Sequence, residues 1–470
     1  MCELLARAHL AAVPTSRSIW GHVAAAIDAL SDTPEAPHQL VSRLLETSVR
    51  HPLVAAVPRS HKHARQVLQW LRDQWLARGW TIPAEFSDDA MSCLECDPEV
   101  FYKTYVGWGG GGVGRAGVTL LESAGGIAHN TTGLTTWCGA AVLAEWATDN
   151  PAIMAGRRVL ELGAGVGFTA CVILTTPLQE GLQPPTSYLL TDCHHHVLTL
   201  LHHNLALNLV TAPPKREELE KFQREASEEL VRGEVEAGEV VAWPTPAPQG
   251  SSPPAAVVEV SGACVLTKVD VLQVDWRRPP PLPPVDVVLA ADVVYARHLI
   301  PSLVTLIRSI LDGSASGQRE GKPPNFETVD ISSKNDQKQK ARLEVYSQQN
   351  PTEEDEAKMN KEEPTGGKNN DEDGGATNDK NEKLERDQTE GPGRREREAF
   401  IACTRRSQET LAVFLEEVRQ QGLVYSLVFQ ATLDTDTALF LYNEAHLPVK
   451  IYRITLPSRS VGSAACHSQD

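Results

Sequence analysis

The spacing of apolar residues divides the chain into regions. From Leu40 to Arg78 they recur at helical intervals: Val41, Leu44, Leu45 and Val49, then Val67, Leu68, Leu71 and Trp75 after a proline-containing break. That is the signature of amphipathic helices, so residues 1–100 read as a helical N-terminal region. Between Phe101 and Asn130 the runs shorten to FYKTYV and VTLLE around the glycine-rich WGGGGVGRAG, which predicts a β-hairpin over 101–130.

After Thr131 short β-type runs alternate with helical ones. RVLELG, SYLLTD, CVLTKVDVLQVD, DVVLAAD and AFIACT read as strands, and TWCGAAVLAEWATD, VGFTACVIL, HHVLTLLHHNLALN, PSLVTLIRSIL and ETLAVFLEEVRQQG as helices. Such alternation implies a mostly parallel sheet covered on both faces. LVYSLVF and VKIYRITL near the end supply antiparallel edge strands. The predicted fold class is α/β, with a Rossmann-like seven-stranded mostly parallel sheet over 131–311 and 399–457. Two segments between core elements read as insertions: 213–262, expected to be partly disordered, and the acidic, low-complexity 312–398, expected to be disordered. Lengthening a surface loop costs little free energy, so a sheet tolerates both.

Composition narrows the function. A formal net charge of −17 disfavours general capture of a phosphate backbone, which needs clustered Lys and Arg. The N-terminus carries Glu3 and Arg7 in its apolar stretch and has no basic lead-in, unlike a secretory signal. No segment reaches the run of about eighteen apolar residues of a membrane span. The nine Cys residues are scattered, as reduced thiols are. A cytoplasmic, soluble monomer without direct nucleic-acid binding is expected.

The candidate chemistry gathers at strand ends. Gly163, Gly165 and Gly167 follow the strand RVLEL and precede a helix, where an α/β sheet places its ligand crevice. A dinucleotide fingerprint would need glycine or alanine three positions after Gly165, and Phe168 stands there. Asp192 closes the next strand, where a carboxylate can accept ribose hydroxyls or cap the following helix. Asp275 and Trp276 close a third strand and suit adenine, the aromatic face by stacking. A fourth strand ends in AADVVY, Ala290 to Tyr295.

Together the G-x-G-x-G loop and Asp292-Val293-Val294-Tyr295 resemble the signature of the seven-β-strand class I protein-lysine methyltransferases. HPLVAAVPRSHKHARQVLQWL, NTTGLTTWCGAAVLAEWATDNPA and TDCHHHVLTLLHHN resemble the members of that family that act on elongation factor 2. The resemblance implies S-adenosylmethionine as methyl donor, no metal, and a lysine of elongation factor 2 as acceptor, with the N-terminal region recognising the substrate. It places Gly163, Ala164 and Gly165 under the methionine portion, Asp192 at the ribose and Trp276 beside adenine. It also implies that Trp137 lines the cofactor pocket and that Ala291 makes a backbone contact to the cofactor beside Asp292. Asp292 and Tyr295 become the catalytic pair, orienting the acceptor amine. Cys138 departs from the family pattern, standing where an acidic residue is expected. AADVVY lacks the Pro-Pro-Tyr character of enzymes that methylate planar nitrogens, which favours a protein lysine.

Other groups are read more plainly. His194, His195 and His196 point in different directions along a helix, so they do not form a converging metal site. Cys93 and Cys96 lack a second matching pair and read as free thiols. Gly109 to Gly112 has no following Lys-Ser/Thr and reads as a flexible turn.

Overall fold

The computed structural model describes residues 2–30, 36–82, 84, 86, 97–107, 117–123, 131–176, 182–209, 214–236, 256–259, 266–315, 396–431 and 448–457. Most of the acidic insertion, the Pro/Ala/Ser-rich stretch 243–255, the Cys93 and Cys96 pair and the glycine run 109–112 lie outside the described residues.

The N-terminal region is helical from its start: Cys2–Leu10, Ile19–Leu30, Ala36–Glu46, Pro52–Ala56 and His61–Ala77. Its first helix buries Arg7 and His9 beside Leu5 and Ala8. Arg7 recovers part of its desolvation cost by donating from Nε to the Val106 carbonyl at 3.2 Å. Ser60 caps His61–Ala77, its hydroxyl accepting from the His63 N–H at 2.9 Å. The buried Arg59 guanidinium donates to the Leu10 carbonyl (2.8 Å), the Leu53 carbonyl (3.2 Å) and Thr104 Oγ1 (2.6 Å). It thereby ties the helices to the hairpin.

That hairpin pairs β1 (Val100–Tyr105) antiparallel with β2 (Val118–Ser123), Val100 opposite Ser123 and Tyr105 opposite Val118. The outer edge of β2 would leave backbone groups unpaired, and two asparagines one turn apart on helix His195–Leu209 satisfy them. Asn204 accepts from Leu121 N (2.7 Å) and donates to Leu121 O (3.2 Å). Asn208 does the same at Thr119, at 3.0 and 2.7 Å. Asn204 also donates to the Val166 carbonyl at 3.0 Å, which fastens the hairpin to the glycine loop.

The seven strands read from the sequence are β3 (Arg158–Leu162), β4 (Ser187–Asp192), β6 (Leu266–Gln273), β7 (Val287–Ala291), β8 (Glu398–Thr404), β9 (Val424–Ala431) and β10 (Val449–Thr455). An eighth, β5 (Ala256–Glu259), adds an antiparallel edge next to β6. The order is β5-β6-β4-β3-β7-β8-β10-β9. The central pairs β6/β4, β4/β3, β3/β7 and β7/β8 are parallel, and β10 runs antiparallel to both β8 and β9. Segment 213–262 contributes helix Arg216–Glu236 and β5.

Period-two alternation assigns strand residues to two cores. Val287 and Leu289 of β7, with Phe400 and Ala402 of β8, face the core that holds helices Cys138–Asp149, Phe168–Thr175 and His195–Leu209. Val288, Ala290, Ala399 and Ile401 face the one built with Ile300–Asp312 and Gln408–Gln420. Helices on both faces leave the carboxyl ends of β4, β3 and β7 as the crevice, and the chain order reverses between β3 and β7.

Two buried histidines stack in the N-terminal region, His9 on His63 with ring centroids 5.3 Å apart. Burial first, and then the charge of Arg59, lower His63 from its usual range to about 4; burial and the neighbouring His63 lower His9 as well. The unfolded chain therefore binds protons first on acidification. Stability is expected to hold above pH 6.5 and to fall between pH 6.5 and about 4, by up to about 1.4 kcal/mol per pH unit for each histidine. Urea unfolding across that range checks this, and His9→Phe should flatten the slope.

Candidate active site

Three strand ends meet in the loop after β3. Gly163, Gly165 and Gly167 all take positive φ, at 65°, 54° and 91°. A Cβ on Gly165 would come within 3.1 Å of the Gly133 carbonyl, and one on Gly163 within 2.8 Å of Val293 Cγ1. Glycine is thus required by the backbone and by packed protein neighbours, a tighter constraint than room for a ligand alone. Ala164 donates its N–H to the Thr191 carbonyl at 2.8 Å, locking the loop to the end of β4. Gly167 begins helix Phe168–Thr175, and Phe168 is buried, edge-on to Tyr105 at 5.0 Å.

Asp192 lies against this loop. Its carboxylate accepts from Gly165 N at 3.2 Å and from His194 N at 3.1 Å. Burial raises its pKa, and backbone N–H bonds from His194, Gly165 and Cys193 oppose the shift. Asp192 braces the start of the next helix and remains partly exposed at the crevice. A carboxylate has about four lone-pair sites, so the backbone bonds do not exhaust it. The half-buried Trp276 ring lies 3.4 Å from where a Gly163 Cβ would stand. The Asp275 carboxylate is taken by Arg277, at 2.8 Å from its Nη2.

Asp292 and Tyr295 turn different ways. Asp292 sits in the left-handed region, φ 55°, just past β7. Its carboxylate accepts from Gly139 N (2.9 Å), Thr404 N (2.8 Å) and Thr404 Oγ1 (2.9 Å), and it pairs with Arg406 at 3.3 Å. These four donors match its lone pairs, and the side chain is 5% exposed. A Cβ on Gly139 would come within 2.6 Å of Asp292 Oδ2, so glycine is obligatory there. Tyr295 is 52% exposed and hydrogen-bonds the Thr132 side chain. Burial of its hydroxyl end raises its pKa, the Thr132 bond opposes this, and the charges of Cys193 and Asp192 add to the rise. Tyr295 is thus exposed at the crevice, while Asp292 is drawn under its rim.

The wall between them is the segment 131–137. Trp137 donates from Nε1 to the Thr132 carbonyl at 2.7 Å, and the Arg406 guanidinium lies 4.5 Å from the centre of its ring. Ala291, partly exposed, ends β7 beside Asp292. Sequence reasoning did not find Thr132, Gly139, Thr404 or Arg406. The one visible signal was Arg405-Arg406 directly after the strand AFIACT.

A second polar centre, also absent from that reading, anchors the wall from behind. Glu122 (0% exposed) and Lys103 (2%) form a buried ion pair at 3.0 Å across the hairpin. Glu122 further accepts from Tyr105 Oη (3.0 Å), Thr135 Oγ1 (3.2 Å), Thr136 N (3.1 Å) and Thr136 Oγ1 (2.6 Å). Every acceptor site of this carboxylate is used, as a buried charge requires.

No family model matches the chain. It is 31% identical over 277 residues to the protein-lysine N-methyltransferase EEF2KMT of Bos taurus, spanning 58% of this chain and 68% of that protein. With EEF2KMT of Mus musculus it shares 29% over 283 residues, 58% of this chain and 67% of that protein. Among solved structures, the glycopeptide N-methyltransferase MtfA complexed with sinefungin is similar at 13% identity and a TM-score of 0.27, covering 72% of this chain and 100% of that one. No residue role follows from so distant a likeness.

Glu122→Gln leaves Lys103 buried opposite a neutral group and is expected to destabilise the protein by about 3–5 kcal/mol in urea unfolding. Replacing both partners, Lys103→Met with Glu122→Leu, should cost less than the sum of the single changes.

Proposed function

Because the chain belongs to the protein-lysine N-methyltransferase family of EEF2KMT, we propose that its acceptor is a lysine of elongation factor 2 and its methyl donor S-adenosylmethionine. The observation that supports the site most directly is the convergence of the glycine loop, Asp192, Trp276 and Tyr295 on one crevice at the carboxyl ends of β3, β4, β6 and β7. The donor supplies an electrophilic methyl group, and the chain's residues hold, orient and shelter the reactants. Gly163, Ala164 and Gly165 would lie under the methionine portion. Asp192 would use its remaining lone pairs on the ribose hydroxyls, and Trp276 would cover adenine.

Trp137 would line the donor pocket, and Ala291 would make a backbone contact to the donor beside Asp292. Tyr295, which follows β7 and hydrogen-bonds the Thr132 side chain, would orient the incoming amine. Asp292 acts chiefly through others: it holds the start of helix Cys138–Asp149, and with it Trp137, against the end of β8. Methyl transfer to an amine is an in-line displacement in which alignment is the main service. The helical N-terminal region, fastened to the same unit through Arg59 and the hairpin, supplies surface for a large protein acceptor. A translation-factor acceptor fits a protein working in the cytoplasm, and no helix among the described residues is long and apolar enough to cross a membrane.

The test is to incubate the purified full chain with labelled donor and purified elongation factor 2, then locate the label by mass spectrometry. Label on one lysine is expected. Transfer instead to RNA or small molecules in a whole extract would replace this reading. Asp192→Ala should raise KM for the donor about tenfold or more while changing kcat less, and an unchanged KM would remove Asp192 from the ribose site.

A further inference from the structure

A carboxylate at the acceptor end of a lysine methyltransferase works against the chemistry. It stabilises the ammonium, which has no lone pair to offer, so the lysine must lose its proton against that attraction. Asp292 stands at this end, and the groups around it bear on how the protein meets the problem. From helix Cys138–Asp149 comes the Gly139 N–H, at the positive end of the helix dipole. Cys138 opens that helix, its thiol 3.0 Å from Thr404 Oγ1. From β8 come the Thr404 donors and Cys403, whose thiol is pushed up by burial and then by the charge of Asp292. Tyr295 follows on the same segment. Among the described residues, the cation in contact with the carboxylate is Arg406, just beyond β8, 33% exposed.

The Arg406 guanidinium bridges two groups on which a lysine ammonium would otherwise settle: the Asp292 carboxylate at 3.3 Å and the face of Trp137 at 4.5 Å. We propose that Arg406 is a positioning residue that cancels the charge of Asp292 at the acceptor end, so that the arriving lysine releases its proton to solvent before transfer. The freed lone pair then forms the nitrogen–carbon bond as the sulfur–carbon bond breaks. The inference rests on reading the Asp292 and Tyr295 edge as the acceptor end. It gives Asp292 a structural use, as clamp of the helix start, without its electrostatic cost to the amine.

The measurement is the single-turnover rate against pH, at saturating donor and acceptor, whose acidic limb reports groups in the bound complex. An opposite charge within 4–6 Å moves a pKa by roughly 1–3 units, and the partial exposure of Arg406 places the effect near the low end. Arg406→Gln is expected to move the acidic limb up by about one pH unit, with its rate recovering toward wild type in alkali. Arg406→Met, which keeps the aliphatic stem on Trp137, should move it the same way, and Arg406→Lys should leave it near the wild-type position. Loss by the same factor at every pH, an unmoved limb, or a Lys variant that shifts as far as Gln would overturn the proposal. A wild-type protein that methylates no lysine would instead overturn the acceptor reading beneath it.

Discussion

The carboxylate of Asp292 is the constraint on which the crevice depends. Helix Cys138–Asp149 begins at Trp137, a residue with no side chain able to cap it, and its first turn borrows an acceptor from 153 residues further along the chain. The bond is charge-assisted and lies at the favourable end of the helix dipole. Through Thr404 the same carboxylate holds the end of β8, so one side chain sets the distance between a helix on one face of the sheet and two strand ends. The left-handed backbone at Asp292 aims it there. An L-residue adopts that conformation at a cost, which Asp bears better than most.

How far the sequence could be read follows from the range of each interaction. The alternation of strand and helix after Thr131 is local, and the seven strands with their intervening helices were legible from it. The glycine loop was legible because its position, between an apolar strand and a helix, carries the meaning. The polar joints were not. Glu122 sits in the apolar run VTLLE and Lys103 in FYKTYV, where either passes for a solvent-facing residue of an alternating strand. They are buried because they meet each other and the 131–137 segment. The role of Asp292 was half legible: its place at a strand end was visible, but its partners Gly139 and Thr404 lie far off in sequence and carry no local mark.

Two buried carboxylates thus organise the wall of the crevice from opposite sides. Glu122 holds Thr135 and Thr136 from the hairpin, and Asp292 holds Gly139 from the sheet, with Trp137 between them. Each is saturated with donors, which converts a costly buried charge into a fixed point. Trp137 is consequently held by its flanking backbone on both sides as well as by its own bond to the Thr132 carbonyl.

The hairpin has a property of a different kind. A two-stranded ribbon normally exposes both its edges and can recruit a strand from another molecule. Here Asn204 and Asn208 occupy the backbone groups along β2, while the Pro58 carbonyl takes the Tyr102 N–H and Gln223 donates to the Val100 carbonyl along β1. With both margins engaged by side chains and loops of its own chain, the ribbon offers little template for intermolecular β-pairing. The contacts that fasten it to the glycine loop also guard the protein against aggregation through this exposed-edge route.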